Sequence, residues 1–308
     1  MKCKRCKAPA AVALPSHNTA FCPDCYLDFF SRQVAKGIKD GAGCGFDKEP
    51  LFTRENRILV AVSGGKDSLA LMLELALQGY DVTGLHIDLA IGESSRKARA
   101  VVERFCNGHA LKLKVVDMAA EGLPIPLVKE KLRRPICSAC GKIKRHYFNR
   151  VALEDGYDVL ATGHNLDDEI ARLFSNVLRW DHTYLGEQGP LLRAENGFAR
   201  KVKPLWRLSE FETANYAFLK GIEHHTLPCP FSKGASFNIH KKIWSDLEEA
   251  MPGRKLNFYL EFLDKGRGHF APACQKAEEA LGPCARCGYP TSSEVCGVCR
   301  IKEAITLP

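Results

Sequence analysis

Fourteen cysteines stand in this chain of 308 residues, and most fall into spaced sets. Cys3-x2-Cys6 is followed after fifteen residues by Cys22-x2-Cys25; near the other end, Cys284-x2-Cys287 precedes Cys296-x2-Cys299 by eight residues. Each set offers four soft sulfur donors in two knuckles, the ligand set of a tetrahedral zinc ion with no coordination position left open. The spacing predicts a structural Zn²⁺ at each end, two in all, with Pro23 and Gly288 supplying tight turns. Modules so poor in apolar residues need the metal to fold. Cys44, Cys106 and Cys274 fit neither set and are expected to be buried cysteines of apolar character.

A second stretch carries different chemistry. In Ser63-Gly64-Gly65-Lys66-Asp67-Ser68, two glycines let the backbone turn sharply and aim N–H groups at an anion. A helix N-terminus directly after such a turn favours phosphate, Lys66 adds a cation, and the serine hydroxyls add donors. The stretch is not a Walker loop, because that pattern needs glycine where Val60 stands. An ordinary strand-to-helix turn would not need Gly-Gly-Lys between two serines.

These residues must be placed by strands and helices. Arg57 to Val62 reads as a buried strand and Asp67 to Gln78 as a helix with Leu69, Leu73 and Leu77 on one face. Strands are expected again at Asp81–Leu89, Leu111–Asp117 and Tyr157–Thr162, with helices over Glu93–Cys106, Gly141–Glu154 and Leu166–Arg179. Leu123 to Pro135 reads as a proline-broken stretch, and the chain from Phe211 to Phe262 as mostly helical. Repeated strand–helix units with apolar strands predict an α/β fold with a doubly wound parallel sheet, flanked by the small zinc modules. Ligands in that architecture bind beyond the carboxyl ends of the strands. The expected division is a finger over 1–30, a linker over 31–52, a nucleotide-binding domain over 53–220, a helical part over 221–282 and a second finger over 283–308.

Hydrophobic residues at 45% and charged residues at 26% exclude a disordered chain. No apolar run is long enough to span a bilayer, so no membrane association is expected. Met1-Lys2-Cys3-Lys4-Arg5-Cys6 has no apolar stretch behind it, which argues against a secretory leader and for a cytoplasmic, reducing setting. The formal charge of +8 is mild, but its basic residues cluster: Arg96, Lys97, Arg99 and Arg104; Arg133 and Arg134; Lys142 to Arg145; Arg200, Lys201 and Lys203. Clusters of this kind suit phosphate contacts that position a nucleic acid without reading it.

Ser63 to Ser68 resembles the PP-loop of the ATP pyrophosphatases, which split ATP between its α- and β-phosphates and adenylate a substrate oxygen. Gly163-His164-Asn165-Leu166-Asp167-Asp168-Glu169 is similar to the second nucleotide-side motif of the tRNA-modifying branch. With Cys137-x2-Cys140-Gly141, the isolated Cys229-Pro230 and cysteine fingers at both ends, the whole resembles the tRNA 2-thiolation enzymes of the TtuA type, relatives of the TtcA and Ctu/Ncs thiolases. Leu166 to Asp181 and Phe231 to Lys265 depart from the pattern, which leaves the modified nucleotide open.

The resemblance implies ATP with Mg²⁺ held at Ser63, Gly64, Gly65, Lys66, Asp67 and Ser68, adenine on the backbone of His86 and Ile87, and further contacts from Gly163 and His164. It implies that Cys137, Cys140 and Cys229 hold a [4Fe–4S] cluster, three thiolates leaving one iron open for sulfide. Bare thiols working through a persulfide, or a third zinc site completed by His224 or His225, are the alternatives. Lys144 stands where the family places a catalytic lysine. Asp168 matches a family carboxylate near ATP and target base, with helix capping as its other reading. The implied reaction is adenylation of the uridine C2 oxygen followed by sulfur substitution on tRNA. A ubiquitin-like thiocarboxylate carrier or a cysteine desulfurase would supply the sulfur, and relatives suggest a homodimer. The rival from another class is a zinc-finger RNA-binding protein with a vestigial ATP site.

Overall fold

The computed structural model describes residues 1–41, 49–132, 135–231, 236–270 and 281–306. Cys44, Cys274, Arg133 and Arg134 lie outside them. The chain opens with a hairpin, β1 (Val12–Leu14) and β2 (Thr19–Phe21), leading into α1 (Pro23–Asp40). Then come β3 (Arg57–Ala61), α2 (Lys66–Leu77), β4 (Asp81–Asp88), α3 (Gly92–Gly108), β5 (Lys112–Asp117), α4 (Ile125–Lys131), α5 (Ile136–Glu154), β6 (Val159–Thr162) and α6 (Leu166–Leu178). After α7 (His182–Glu187), β7 (Leu191–Leu192) and β8 (Lys201–Val202), the chain forms α8 (Glu210–Leu219), α9 (Ser236–Ala250) and α10 (Arg254–Glu261). A second hairpin, β9 (Gly282–Pro283) and β10 (Pro290–Thr291), and α11 (Gly297–Thr306) complete it.

The central sheet has six strands in the order β5-β4-β3-β6-β8-β7. All its pairings are parallel except that of the short edge strand β7 with β8. Strand side chains alternate between faces. Ile58 and Val60 therefore join the large core formed with α1, α2, α3, α6 and α8, while Leu59 packs with Leu85, Leu160, Val151 and Ala152 under α5. From β3 the chain winds outward to β4 on one side and later returns to β6 on the other. A crevice opens where the order reverses, at the carboxyl ends of β3 and β6.

Most elements fall within two residues of their expected bounds, and three depart further. Helix α5 starts at Ile136, not Gly141, with Pro135 as its N-cap, so Cys137 and Cys140 stand on its first turns. Gly141 is accommodated mid-helix, where the Arg145 guanidinium lies over it. Within the proline-broken stretch α4 forms, because Pro126 sits in the first turn, where no N–H is needed. Helix α1 runs to Asp40 through the expected linker. Phe30, Val34, Gly37 and Ile38 lie along its buried face, Phe30 stacks on Tyr216 at 4.0 Å, and the indole N–H of Trp206 donates to Gly37 O at 3.1 Å. The first cysteine module is thereby fused to the main core through a continuous helix.

Both cysteine modules form. Cys3, Cys6, Cys22 and Cys25 bring their sulfurs within 4.8 Å of one another, as do Cys284, Cys287, Cys296 and Cys299. In the first, the amide of Cys6 leads the hydrogen bonds that hold Cys3 down to about 6, whereas Cys22 and burial push Cys25 up to about 12. Four crowded thiols sharing protons unequally is the expected state of a site that a divalent cation would deprotonate outright. In the second, burial opposes ionisation of Cys284, but donation from the amides of Cys296 and Arg286 holds it at about 6. This module is no loose appendage. Cys284, Cys296, Val298 and Ile305 share a core with Ala139, Ile143 and Tyr147 of α5 and Ile125 and Val128 of α4. Cys296→Ser is expected to abolish metal binding by this module while leaving the first set of four sulfurs intact, so that metal per chain, measured by plasma mass spectrometry, falls without vanishing. The neighbouring α4 and α5 amides are expected to lose hydrogen-exchange protection in the same variant.

Candidate active site

Strand β3 ends by delivering Ser63 to Ser68 into the crevice, and Gly65 is the N-cap of α2 with no side chain closing that end. Gly64 has φ +87, a region that disfavours any residue with a Cβ. The Ser68 hydroxyl accepts from the Ser63 amide at 3.2 Å and donates to Gly65 O at 3.0 Å, tying the loop across its own turn. Helix α2 thus presents open amides and the positive end of its dipole to the crevice.

Gly163, at the end of β6, fits directly against this first turn. A Cβ added there would lie 2.8 Å from both Cα and N of Ser68. The following Asn165 is the N-cap of α6 and donates from Nδ2 to Asp67 Oδ1 at 3.2 Å, so the two motifs meet by backbone contact and by one hydrogen bond. His164 shares a 2.8 Å hydrogen bond with Thr162 Oγ1 and is exposed on the cleft wall, where partial loss of water around the ring, with Lys201 and Lys203 nearby, lowers its pKa. His86 donates from Nδ1 to Val62 O at 2.9 Å. Its Nε2 is then an acceptor, buried without a partner. Burial likewise lowers the His86 pKa.

A cleft of about 410 Å³ joins these groups. Its wall includes Ser63, Gly65, Asp67, Ser68, His86, Ile87, Gly163 and His164, and also Lys144 and Cys229. The segment carrying Cys229 is tethered to the loop, because the His225 amide donates to Gly64 O at 2.8 Å. Cys137 and Cys140 are not on the wall. The Cys137 thiol contacts Phe231 O at 3.5 Å, and burial pushes the Cys140 thiol up against the pull of Lys144, with Cys229 and Cys137 adding to the rise. The three thiols and Lys144 are therefore electrostatic neighbours.

Among the described residues, only the two terminal sets place three or more ligating atoms within 4.8 Å of one another. A single tetrahedral zinc holds its sulfurs about 3.8 Å apart at a Zn–S distance of about 2.3 Å. The mid-chain thiols are thus spread too widely for one ion in this arrangement. His224 turns to Ile222 O, while His225 lies on the cleft wall beside Ser94. A three-thiol set more open than a mononuclear site suits a larger inorganic group.

Two residues singled out in the sequence sit differently from the rest. The Lys66 ammonium pairs with Asp67 at 3.1 Å and Glu210 at 2.9 Å. Burial works against this charge, yet the two carboxylates keep its pKa above the ordinary lysine value. Asp168 forms a reciprocal capping box with Asn165 and an ion pair with Lys241 at 2.6 Å, and it is not on the cleft wall. Glu210 bridges the two lysines; burial opposes its ionisation, but Lys66 and Lys241 hold it at about 2. Next to it, Asp167 accepts from the Glu210 amide at 2.7 Å and pairs with Lys255 at 2.5 Å. The sequence assigned no role to Asn165, Glu210, Lys241, Lys255 or Phe148, and offered His225 only as an alternative zinc ligand. Asn165 stood inside a quoted motif, but nothing in the spacing announced the others.

An open helix terminus in a switch-point crevice, closed by a glycine contact from the next strand, defines a PP-loop protein. The PP-loop domain family matches residues 30–226, and the N-terminal LIM domain of 2-thiouridine synthetase TtuA matches residues 2–27. The tRNA-5-methyluridine(54) 2-sulfurtransferase of Thermus thermophilus is 42% identical over 307 residues, 99% of this chain and 92% of that protein. The one from Thermotoga maritima is 40% identical, over 99% of this chain and 97% of that protein. The U34-tRNA thiolase NcsA from Methanococcus maripaludis, solved with its [4Fe-4S] cluster, superposes with a TM-score of 0.76 at 25% identity, covering 100% of this chain and 97% of that one. The chain belongs to the TtuA-type tRNA 2-thiouridine synthetases, PP-loop sulfurtransferases acting on tRNA. No helix among the described residues is long and apolar enough to cross a membrane.

Gly163→Ala tests the contact on which the cleft rests. The methyl group has only backbone to meet at 2.8 Å, so the first turn of α2 must shift. ATP affinity, followed by calorimetry, is expected to fall at least about tenfold, or about 1.4 kcal/mol. Gly108→Ala, which meets nothing within 4 Å, is expected to leave it unchanged.

Proposed function

We propose that the chain thiolates the C2 position of a uridine in tRNA, with 5-methyluridine 54 the target named by relatives of high identity and near-full coverage. The observation that carries the reading is the common wall: Cys229 and Lys144 line the same cleft as Ser63, Gly65, Asp67 and Ser68. Activation and substitution on one carbon require both machineries to reach one atom. In the first step the uridine C2 oxygen attacks the α-phosphorus of ATP, and pyrophosphate leaves. In the second a sulfur nucleophile adds at C2 and AMP departs with the original oxygen.

The chain's residues divide these tasks. The open amides at the start of α2 and the hydroxyls of Ser63 and Ser68 would take the phosphates, and Asp67, on the wall and partly committed to Lys66, is the carboxylate nearest to hold Mg²⁺. The unpartnered Nε2 of His86 offers an acceptor of the kind the adenine amino group would satisfy. Among the described residues Lys144 is the one lysine on the wall, and it is placed to neutralise charge that builds on the adenylate. Cys137, Cys140 and Cys229 would hold a [4Fe–4S] group, which when bound supplies one iron without a protein thiolate. The sulfur itself would come from a thiocarboxylate carrier or a desulfurase, and the reading places the enzyme in the cytoplasm, in keeping with its cysteine-rich, metal-dependent construction.

Cys229→Ser purified without oxygen separates the parts. Iron and acid-labile sulfide are expected to fall from about four per chain to a small residue. ATP binding should persist, and 2-thiouridine in digested tRNA should disappear. A variant with full iron content and full thiolation would remove Cys229 from the centre. Thiolation by an iron-free wild-type protein would instead favour persulfide chemistry.

A further inference from the structure

Three of the basic clusters in the sequence fall among the described residues, and half of their charges are already answered. Lys97 pairs with Glu93, Arg99 with Glu103 and Asp88, and Arg104 with Glu223. Arg200 is held by Glu49 and the carbonyls of Pro50 and Leu51, and Lys203 by Glu169. The Lys142 side chain lies over Gly297 at the start of α11. Among the described residues Arg96, Lys142 and Lys144 have no ion pair or hydrogen bond for the side chain, and neither do Arg145 and Lys201. Though far apart in sequence, these last two line one cavity of about 380 Å³ between α5, the segment from β7 to β8 and the C-terminal cysteine module.

That cavity has the other half of a nucleotide site as well. Phe148, Phe198 and Tyr289 line it, and Phe148 also lines the ATP cleft. Phe198 is held in place by Asn149, which accepts from the Ala199 amide at 2.7 Å and donates to Gly197 O at 3.0 Å. Its ring meets Tyr289 edge-on at 5.6 Å. Two carboxylates, Glu187 and Glu195, and Arg193, which pairs with Glu49, complete the charged lining. Burial, with Lys203 and Arg145 close by and Glu169 working the other way, pulls Lys201 down to about 8.

We propose that this cavity takes one unpaired nucleotide of the tRNA next to the one being modified, its phosphate on Arg145 and Lys201 and its base against Phe198 and Tyr289. The inference rests on the tRNA thiolation reading and adds to it a second nucleotide site, with Phe148 on the wall of both. Aromatic faces that stack a splayed base beside paired cations are how proteins grip single-stranded RNA. Such a grip would keep the target base out of its stack while the neighbouring cleft acts on it.

The test measures binding of full-length tRNA to the intact protein against salt, by fluorescence anisotropy. The double variant Arg145→Gln/Lys201→Gln is expected to weaken binding at least about tenfold, and to reduce the slope of log K against log salt by about 1 to 2. Phe198→Ala is expected to weaken binding about fivefold or more with the slope unchanged, because stacking releases no counterions. ATP affinity, read separately, should match the wild type in all variants, which distinguishes a lost RNA contact from a damaged fold. Wild-type affinity and slope in the double variant would overturn the second site while leaving thiolation intact. Absence of tRNA binding by the wild-type protein would overturn both.

Discussion

Gly163 touches the backbone of Asp67 and Ser68 with no side chain between them. That approach is what lets the end of β6 and the start of α2 share a crevice, and it admits no other residue without moving the phosphate-binding turn. The rest of the cleft is built outward from it. Asn165, two residues on, reaches back to Asp67, and the His225 amide fixes the Cys229 segment to Gly64. A nucleotide loop, a lysine and a thiol from three distant parts of the sequence thus line one wall. The sheet supplies the reason for the meeting place, since strand order reverses between β3 and β6.

Behind the cleft lies a second layer that is electrostatic. Lys66, Asp67, Glu210, Lys241 and Asp168 form a connected chain of opposite charges, with Lys255 and Asp167 beside it. Half-buried charges of this kind are costly unless each has a partner. The pairing therefore fixes where α6, α8, α9 and α10 stand relative to the loop. It also bears on Lys66 and Asp168, which resemblance placed at the chemistry: each is engaged by this network, so an incoming ATP would have to draw Lys66 away from Glu210.

The sequence was most informative where physics is local. An apolar run of five before Ser-Gly-Gly-Lys could hardly be anything but a buried strand and its turn, and the Cys-x2-Cys pairs forecast the two convergent sets of four sulfurs. Boundaries were less legible. The helix expected from Gly141 begins at Ile136 instead, because the packing of Ala139 and Ile143 against the C-terminal module outweighs the poor helix preference of Gly141. Charge partners were not legible at all. Nothing in the local pattern around Glu210 or Lys241 indicates that they meet across the helical part, and nothing near Arg145 and Lys201 indicates that these two are left unpaired. Such pairings are properties of the tertiary arrangement, fixed only when distant segments are brought together.

The central claim is that adenylation and sulfur transfer occur in one cavity, and the most direct measurement is an anaerobic crystal structure of the chain with a non-hydrolysable ATP analogue. The account predicts phosphates on the amides at the start of α2 and an iron–sulfur group held by Cys137, Cys140 and Cys229, its protein-free iron facing the α-phosphate across open cleft. A nucleotide bound elsewhere, or a metal group whose open side faces away from the phosphates, would contradict it.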